Sequence, residues 1–139
     1  MHVVDASVVV AFFIGEDAEA QAASRVLAPD ADLWAPHLLD AEVGHALRKA
    51  VRANMVTEPI AAASLEDLRE LPLQRVPHVG LIEAAWSLRD NVSFYDAIYV
   101  SLAERLGIPL VTFDLRLGRA ASGRVEVLDL GGEGLSGPG

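Results

Sequence analysis

Four carboxylates fall where an ordinary surface acid would not. Asp5 ends the apolar run Val3-Val4, and Asp114 ends Leu110-Val111-Thr112-Phe113. If both runs are strands of a parallel sheet, the two acids emerge on the same edge, beyond the carboxyl ends where open sheets bind ligands. Each also reads as a helix N-cap, a common use of aspartate worth about 1 kcal/mol. Asp96 closes Ser93-Phe94-Tyr95-Asp96, a capping box, yet it precedes Tyr99, Val100 and Ala103 at helical spacing on a semi-apolar face. A carboxylate there sits at the positive end of its helix, poised towards a cleft. Glu42 lies four after Leu38, three after Leu39 and four before Ala46, inside an apolar stripe. Buried charge costs several kcal/mol unless it is paired. Glu42 therefore needs a cation, an arginine or hydroxyl partner, or a helix turned enough to leave it at the rim.

Taken together, four converging acids would raise one another's pKa and strain the fold, and a divalent cation relieves both effects. Oxygen ligands without sulfur favour hard ions, Mg²⁺ or Mn²⁺. Such ions polarise a phosphoryl oxygen and activate water for in-line attack. His2, His37, His45 and His78 show no ligand spacing, no glycines form a phosphate loop, and no Gly-x-Ser-x-Gly elbow is present.

The elements that must carry these acids alternate. Val3-Val4, Leu33-Trp34-Ala35, Leu73 to Val76, Leu110 to Phe113 and Val125 to Leu128 read as strands. Helices are predicted over Asp17 to Leu27, His37 to Ala53, Glu58 to Glu70, Val79 to Arg89, Ser93 to Leu106 and Leu115 to Ala121. Periodicity leaves Ser7 to Phe13 open between strand and buried helix. Gly107 and Pro109 stop the long helix before the strand at Leu110. The alternation predicts an α/β fold, a mainly parallel sheet flanked by helices on both faces.

With 139 residues and 52% hydrophobic side chains, the chain suits one domain, expected over residues 1–130, with the glycine-rich 131–139 as a flexible tail. Twenty Asp and Glu against 11 Lys and Arg give a net charge of -9, which disfavours a general electrostatic grip on nucleic acid or anionic membrane. The absence of Cys fits a reducing compartment. Val8 to Ile14 is too short to span a bilayer and follows an acid. These features predict a soluble, cytoplasmic protein.

Val3-Val4-Asp5-Ala6-Ser7, Leu39-Asp40-Ala41-Glu42-Val43, Tyr95-Asp96-Ala97-Ile98-Tyr99 and Leu110-Val111-Thr112-Phe113-Asp114, in that order, span most of the chain. In this ordered set the chain resembles a PIN domain, more narrowly the VapC-type toxin ribonucleases of bacterial type II toxin-antitoxin systems. Phe113 and the lead Asn91-Val92-Ser93-Phe94 depart from the usual pattern but leave the acids intact. The resemblance implies a Mg²⁺-dependent endoribonuclease, with Mn²⁺ as substitute. Its acids would be Asp5, Glu42, Asp96 and Asp114, with Asp5 and Asp96 as direct metal ligands, and Ser7 and Thr112 supporting the site by hydrogen bonds. It also implies a homodimer and an antitoxin whose C-terminal segment blocks the acidic cleft. Arg48, Lys49, Arg52, Arg116 and Arg119 are then the candidates for RNA phosphates, or else a solvated face.

Two other classes share parts of this pattern. A receiver or aspartyl phosphatase needs a lysine at a late strand end or a second aspartate in Asp-x-Asp. The sole lysine, Lys49, lies mid-helix, and Asp5 is followed by Ser7 at the second position. A catalytically silent PIN-like module that binds RNA or protein remains the alternative.

Overall fold

Val3 and Val4 are both fully buried although successive strand side chains point to opposite faces, so the first strand is covered on both sides. The computed structural model describes residues 1–131; the predicted flexible tail beyond Gly131 lies outside them. Five short strands, β1 (His2–Val4), β2 (Leu33–Pro36), β3 (Gln74–Val76), β4 (Leu110–Thr112) and β5 (Val127–Asp129), form one sheet in the order β3-β2-β1-β4-β5. Every pairing is parallel, with Val4 opposite Val111 and Thr112 opposite Asp129. The helices are α1 (Ala6–Ile14), α2 (Asp17–Val26), α3 (Leu38–Arg52), α4 (Glu58–Glu70), α5 (Ile82–Ser87), α6 (Phe94–Leu106) and α7 (Leu115–Ala121).

The chain builds outwards from β1 to β2 and β3, then returns to the other side of β1 for β4 and β5. The strand order therefore reverses between β1 and β4, and it is beyond the carboxyl ends at such a reversal that open parallel sheets form their ligand crevice. Alternation in the sequence foretells a parallel sheet; only the strand order says where the crevice lies.

The undecided run Ser7 to Phe13 is helix. Val8 and Val9 are fully buried, and α1 packs on α2, α3 and β4 at once. A helix with neighbours on most sides is apolar around its circumference, which is why its sequence shows no helical stripe. The predicted helix from Val79 to Arg89 is split: a 3-10 turn covers Val79–Leu81, and α5 ends at Ser87. The last strand is displaced to Val127–Asp129. Gly107 takes φ +66 at the end of α6, the left-handed conformation that its place as C-cap requires. Among the described residues no helix is long and apolar enough to cross a membrane.

On the far edge, Arg75 of β3 ties three elements together. Its Nε and Nη2 donate to the two carboxylate oxygens of Asp40 on α3, at 2.8 and 3.1 Å. The guanidinium also donates to the carbonyls of Leu68 (2.7 Å) and Leu71 (3.2 Å), closing the end of α4. A bidentate pair of this geometry is well above the usual surface ion pair, although partial exposure screens it. Arg75→Ala is expected to cost about 2 kcal/mol, read as a lowered midpoint in urea unfolding at unchanged m-value. An unchanged midpoint would show the clamp to be inert.

Candidate active site

Asp5 follows β1 directly and occupies the N-cap position of α1, but its carboxylate makes no cap hydrogen bond. Instead Oδ1 accepts from the Ser7 hydroxyl and Oδ2 from the Thr112 hydroxyl, each at 2.5 Å. Those hydroxyls are themselves oriented. Ser7 Oγ accepts from the Phe113 amide (3.0 Å), and Thr112 Oγ1 accepts from the Asp114 amide (2.9 Å). With the backbone supplying the incoming donor, each hydroxyl proton is directed at Asp5. Asp5 is only 6% exposed, and burial pushes its carboxyl up to about 6, helped by the charge of Asp96 and opposed by the hydrogen bonds from Ser7 and Thr112.

Asp96 stands in the first turn of α6. Its amide donates to Ser93 Oγ at 3.1 Å, one half of the predicted capping box; the reciprocal bond from the Ser93 amide is not made. The Asp96 carboxyl is raised by burial first, then by the charges of Asp114 and Glu42, while Arg116 lowers it. Asp114 is a true N-cap of α7, with Oδ1 accepting from the amides of Arg116 (2.9 Å) and Leu117 (3.2 Å). Of the two uses the sequence offers for Asp114, the cap is the one its hydrogen bonds show.

Glu42 is half-buried at the rim of α3, and its partner is a hydroxyl. Tyr99 Oη donates to Glu42 Oε1 at 2.6 Å. This neutral donor holds the carboxylate without cancelling its charge. Tyr99 is 1% exposed, and its phenol is raised well above its ordinary value by burial, then by the bond to Glu42 and by the charges of Glu42, Asp5 and Asp96. It therefore stays a donor throughout the working pH range. The sequence reading assigned Tyr99 no role. Its signal was a polar tip three residues after Asp96 on an otherwise apolar helix face.

A second unforeseen acid is Asp129, which ends β5 as Asp5 ends β1. Its Oδ1 accepts from the Gly131 amide at 2.9 Å. It lies beside α7, where a Cβ on Gly118 would meet Asp129 Oδ2 at 3.0 Å. One strand removed from the reversal point, Asp129 serves a turn.

Among the described residues no group of three or more acidic or imidazole side chains stands so that it could hold a metal ion. Mg²⁺ does not demand one, because it keeps several waters and commonly takes one or two carboxylates. Each Asp5 oxygen accepts one hydroxyl and so retains a lone pair, and Asp96 faces the same acids. This donor set suits a hard, hydrated cation. A concavity of about 930 Å³ lies away from these acids, between α2 and the β4–β5 strands near His2, Arg25, Val111 and Leu128.

The PIN domain profile matches residues 2–123. Ribonuclease VapC1 of Mycobacterium tuberculosis is 50% identical over 119 residues, spanning 85% of this chain and 89% of that protein. The chain belongs to the VapC branch of the PIN-domain family. Two solved structures share its fold. One is VapC20 of Mycobacterium tuberculosis, described as a Sarcin-Ricin loop cleaving toxin, with a TM-score of 0.70, 22% identity, and coverage of 91% of this chain and 98% of that one. The other is VapBC2 from Rickettsia felis bound to a fragment of its promoter DNA, with a TM-score of 0.63, 13% identity, and coverage of 92% and 97%.

Within this VapC fold the remaining predicted residues lie at the margin. Arg48, Lys49, Arg52, Arg116 and Arg119 are all exposed. None is in an ion pair among the described residues. On α3, Lys49 is seven residues after Glu42 and shares its face, whereas Arg48 is turned about 120° away. The charge of Arg116 lowers the Asp96 carboxyl.

Proposed function

We infer that this chain is the toxin of a type II toxin-antitoxin system, an endoribonuclease that hydrolyses RNA phosphodiester bonds with Mg²⁺, or Mn²⁺ in its place. One observation carries the reading: at the strand-order reversal, the buried Asp5 carboxylate is gripped by the hydroxyls of Ser7 and Thr112, while Glu42 is tied to Tyr99 on α6, the helix that carries Asp96. The identity to Ribonuclease VapC1 supports it.

Asp5 and Asp96 would hold the cation. When bound, it polarises the phosphoryl oxygen and acidifies water for in-line attack. Ser7 and Thr112 keep Asp5 oriented, in the way that outer partners fix metal-binding carboxylates. Glu42, held through Oε1 by Tyr99, keeps Oε2 to accept the proton of the attacking water. Asp114, fixed by its cap bonds, adds negative charge that favours cation binding. Lys49, Arg52, Arg116 and Arg119 take RNA phosphates around the cleft, with Arg48 further off the face. The P–O bond to water forms as the bond to the leaving ribose oxygen breaks.

An antitoxin whose C-terminal segment presents an arginine would pair bidentately with these acids, and the net charge of -9 suits a basic tail. A homodimer is supported by Val79, Ile82 and Trp86, exposed by 73%, 45% and 59%, which follow one another at spacings of three and four. A cytoplasmic location fits the VapC reading and the lack of cysteine.

The test is incubation of the protein, freed of any bound partner, with total bacterial RNA in Mg²⁺, Mn²⁺ or EDTA, followed by mapping of new ends. Discrete ends that need the metal and vanish with Asp96→Ala are expected. No new ends from a folded chain in any metal would leave the silent binding module as the better reading.

A further inference from the structure

We propose that Tyr95 is a stacking subsite for one unpaired base of the RNA, next to the phosphate that is cut. The inference rests on the ribonuclease reading and adds a specificity-determining residue to it.

Tyr95 is 61% exposed, one position before Asp96. It is four residues before Tyr99, so the two tyrosines lie one above the other on α6. Tyr99 reaches across to Glu42 at 2.6 Å. Tyr95 therefore stands one turn nearer the N-terminus of α6 than Tyr99, next in sequence to Asp96. Among the described residues its hydroxyl has no hydrogen-bond partner and its ring no aromatic or cationic neighbour. An aromatic so exposed, unused by the fold and adjacent to Asp96, is free to stack on a base of a strand bound at these acids.

Charge explains why a ring belongs there. With 20 acids against 11 Lys and Arg and a net charge of -9, phosphate is repelled until a cation is present. A stacked base is attracted through its π face and carries no charge at the point of contact. On α3, Lys49 shares the face of Glu42 two turns further along, so a phosphate of the same strand has one cation within the reach of that face. Holding the substrate by one base and a few phosphates is the local grip that an acidic protein requires.

The experiment uses a short RNA spanning a mapped cut, and the same RNA with a single abasic residue at each flanking position in turn. Tyr95→Ala is expected to raise KM about 5- to 100-fold with kcat nearly unchanged, the range given by base–aromatic stacking. Tyr95→Phe and Tyr95→Trp should keep the KM of the parent. One abasic position should weaken the parent by the same factor as Tyr95→Ala and weaken Tyr95→Ala no further. An unchanged KM in Tyr95→Ala, or an abasic penalty equal in parent and variant, overturns the subsite while cleavage by the parent still stands. If the parent cuts no RNA, the ribonuclease reading falls and the subsite with it.

Discussion

Asp5→Asn is expected to lower the single-turnover cleavage rate about 100- to 1,000-fold, the scale of losing one preorganised electrostatic contact at a reacting centre. The replacement is isosteric, so the loss is electrostatic and geometric. An amide can accept one of the two hydroxyl protons that the carboxylate accepts from Ser7 and Thr112, but its NH₂ cannot accept the other. The displaced hydroxyl then turns away, and the amide of Phe113 or Asp114 that it anchors loses alignment. The effect thus reaches the first turn of α7 as well as the metal site. Far-ultraviolet circular dichroism should remain that of the parent. A rate within threefold of the parent, in a folded variant, would remove Asp5 from the reaction.

The second large effect is on stability, and it runs against the usual direction for a carboxylate. The Asp5 carboxyl is raised to about 6 from 3.8, so between these values the folded chain binds more protons than the unfolded one. Its contribution is fully present below pH about 4 and is lost as the pH rises through 6, a fall of about 3 kcal/mol. Asp96 is raised too and adds in the same direction. Urea unfolding in EDTA from pH 4 to 7 measures this. Taken as parent minus Asp5→Asn, stability should decline across the window, because the variant lacks the titrating group. Mg²⁺ at neutral pH should reverse the decline, by about 2.7 kcal/mol at a hundredfold excess over Kd, since the ion binds the folded, ionised site. A difference that stays flat with pH would mean that Asp5 is not held in the protonated form by burial.

Local pattern announced much of this site because charge placed against hydrophobic order is conspicuous. Asp5 and Asp114 each interrupt an apolar strand, and Glu42 interrupts an apolar helical stripe. Other parts lacked any local signal. The clamp from Arg75 to Asp40 joins residues 35 apart in the chain, and neither residue is unusual in its own segment. The bond from Tyr99 to Glu42 joins residues 57 apart. The run Ser7 to Phe13 defeated periodicity because a helix covered on most sides has no polar face to mark its turn.

The sequence by itself determined the alternation of strands and helices, the parallel sheet, and acids set against hydrophobic order at Asp5, Glu42 and Asp114. These follow from local propensity and from the cost of burying charge, which act residue by residue. Only the tertiary structure decided that the strand order reverses between β1 and β4, that Asp5 is gripped by two hydroxyls while Asp114 truly caps, and that Glu42 is met by a tyrosine. Those outcomes depend on contacts between segments up to 107 residues apart, made when packing selects one arrangement of the elements.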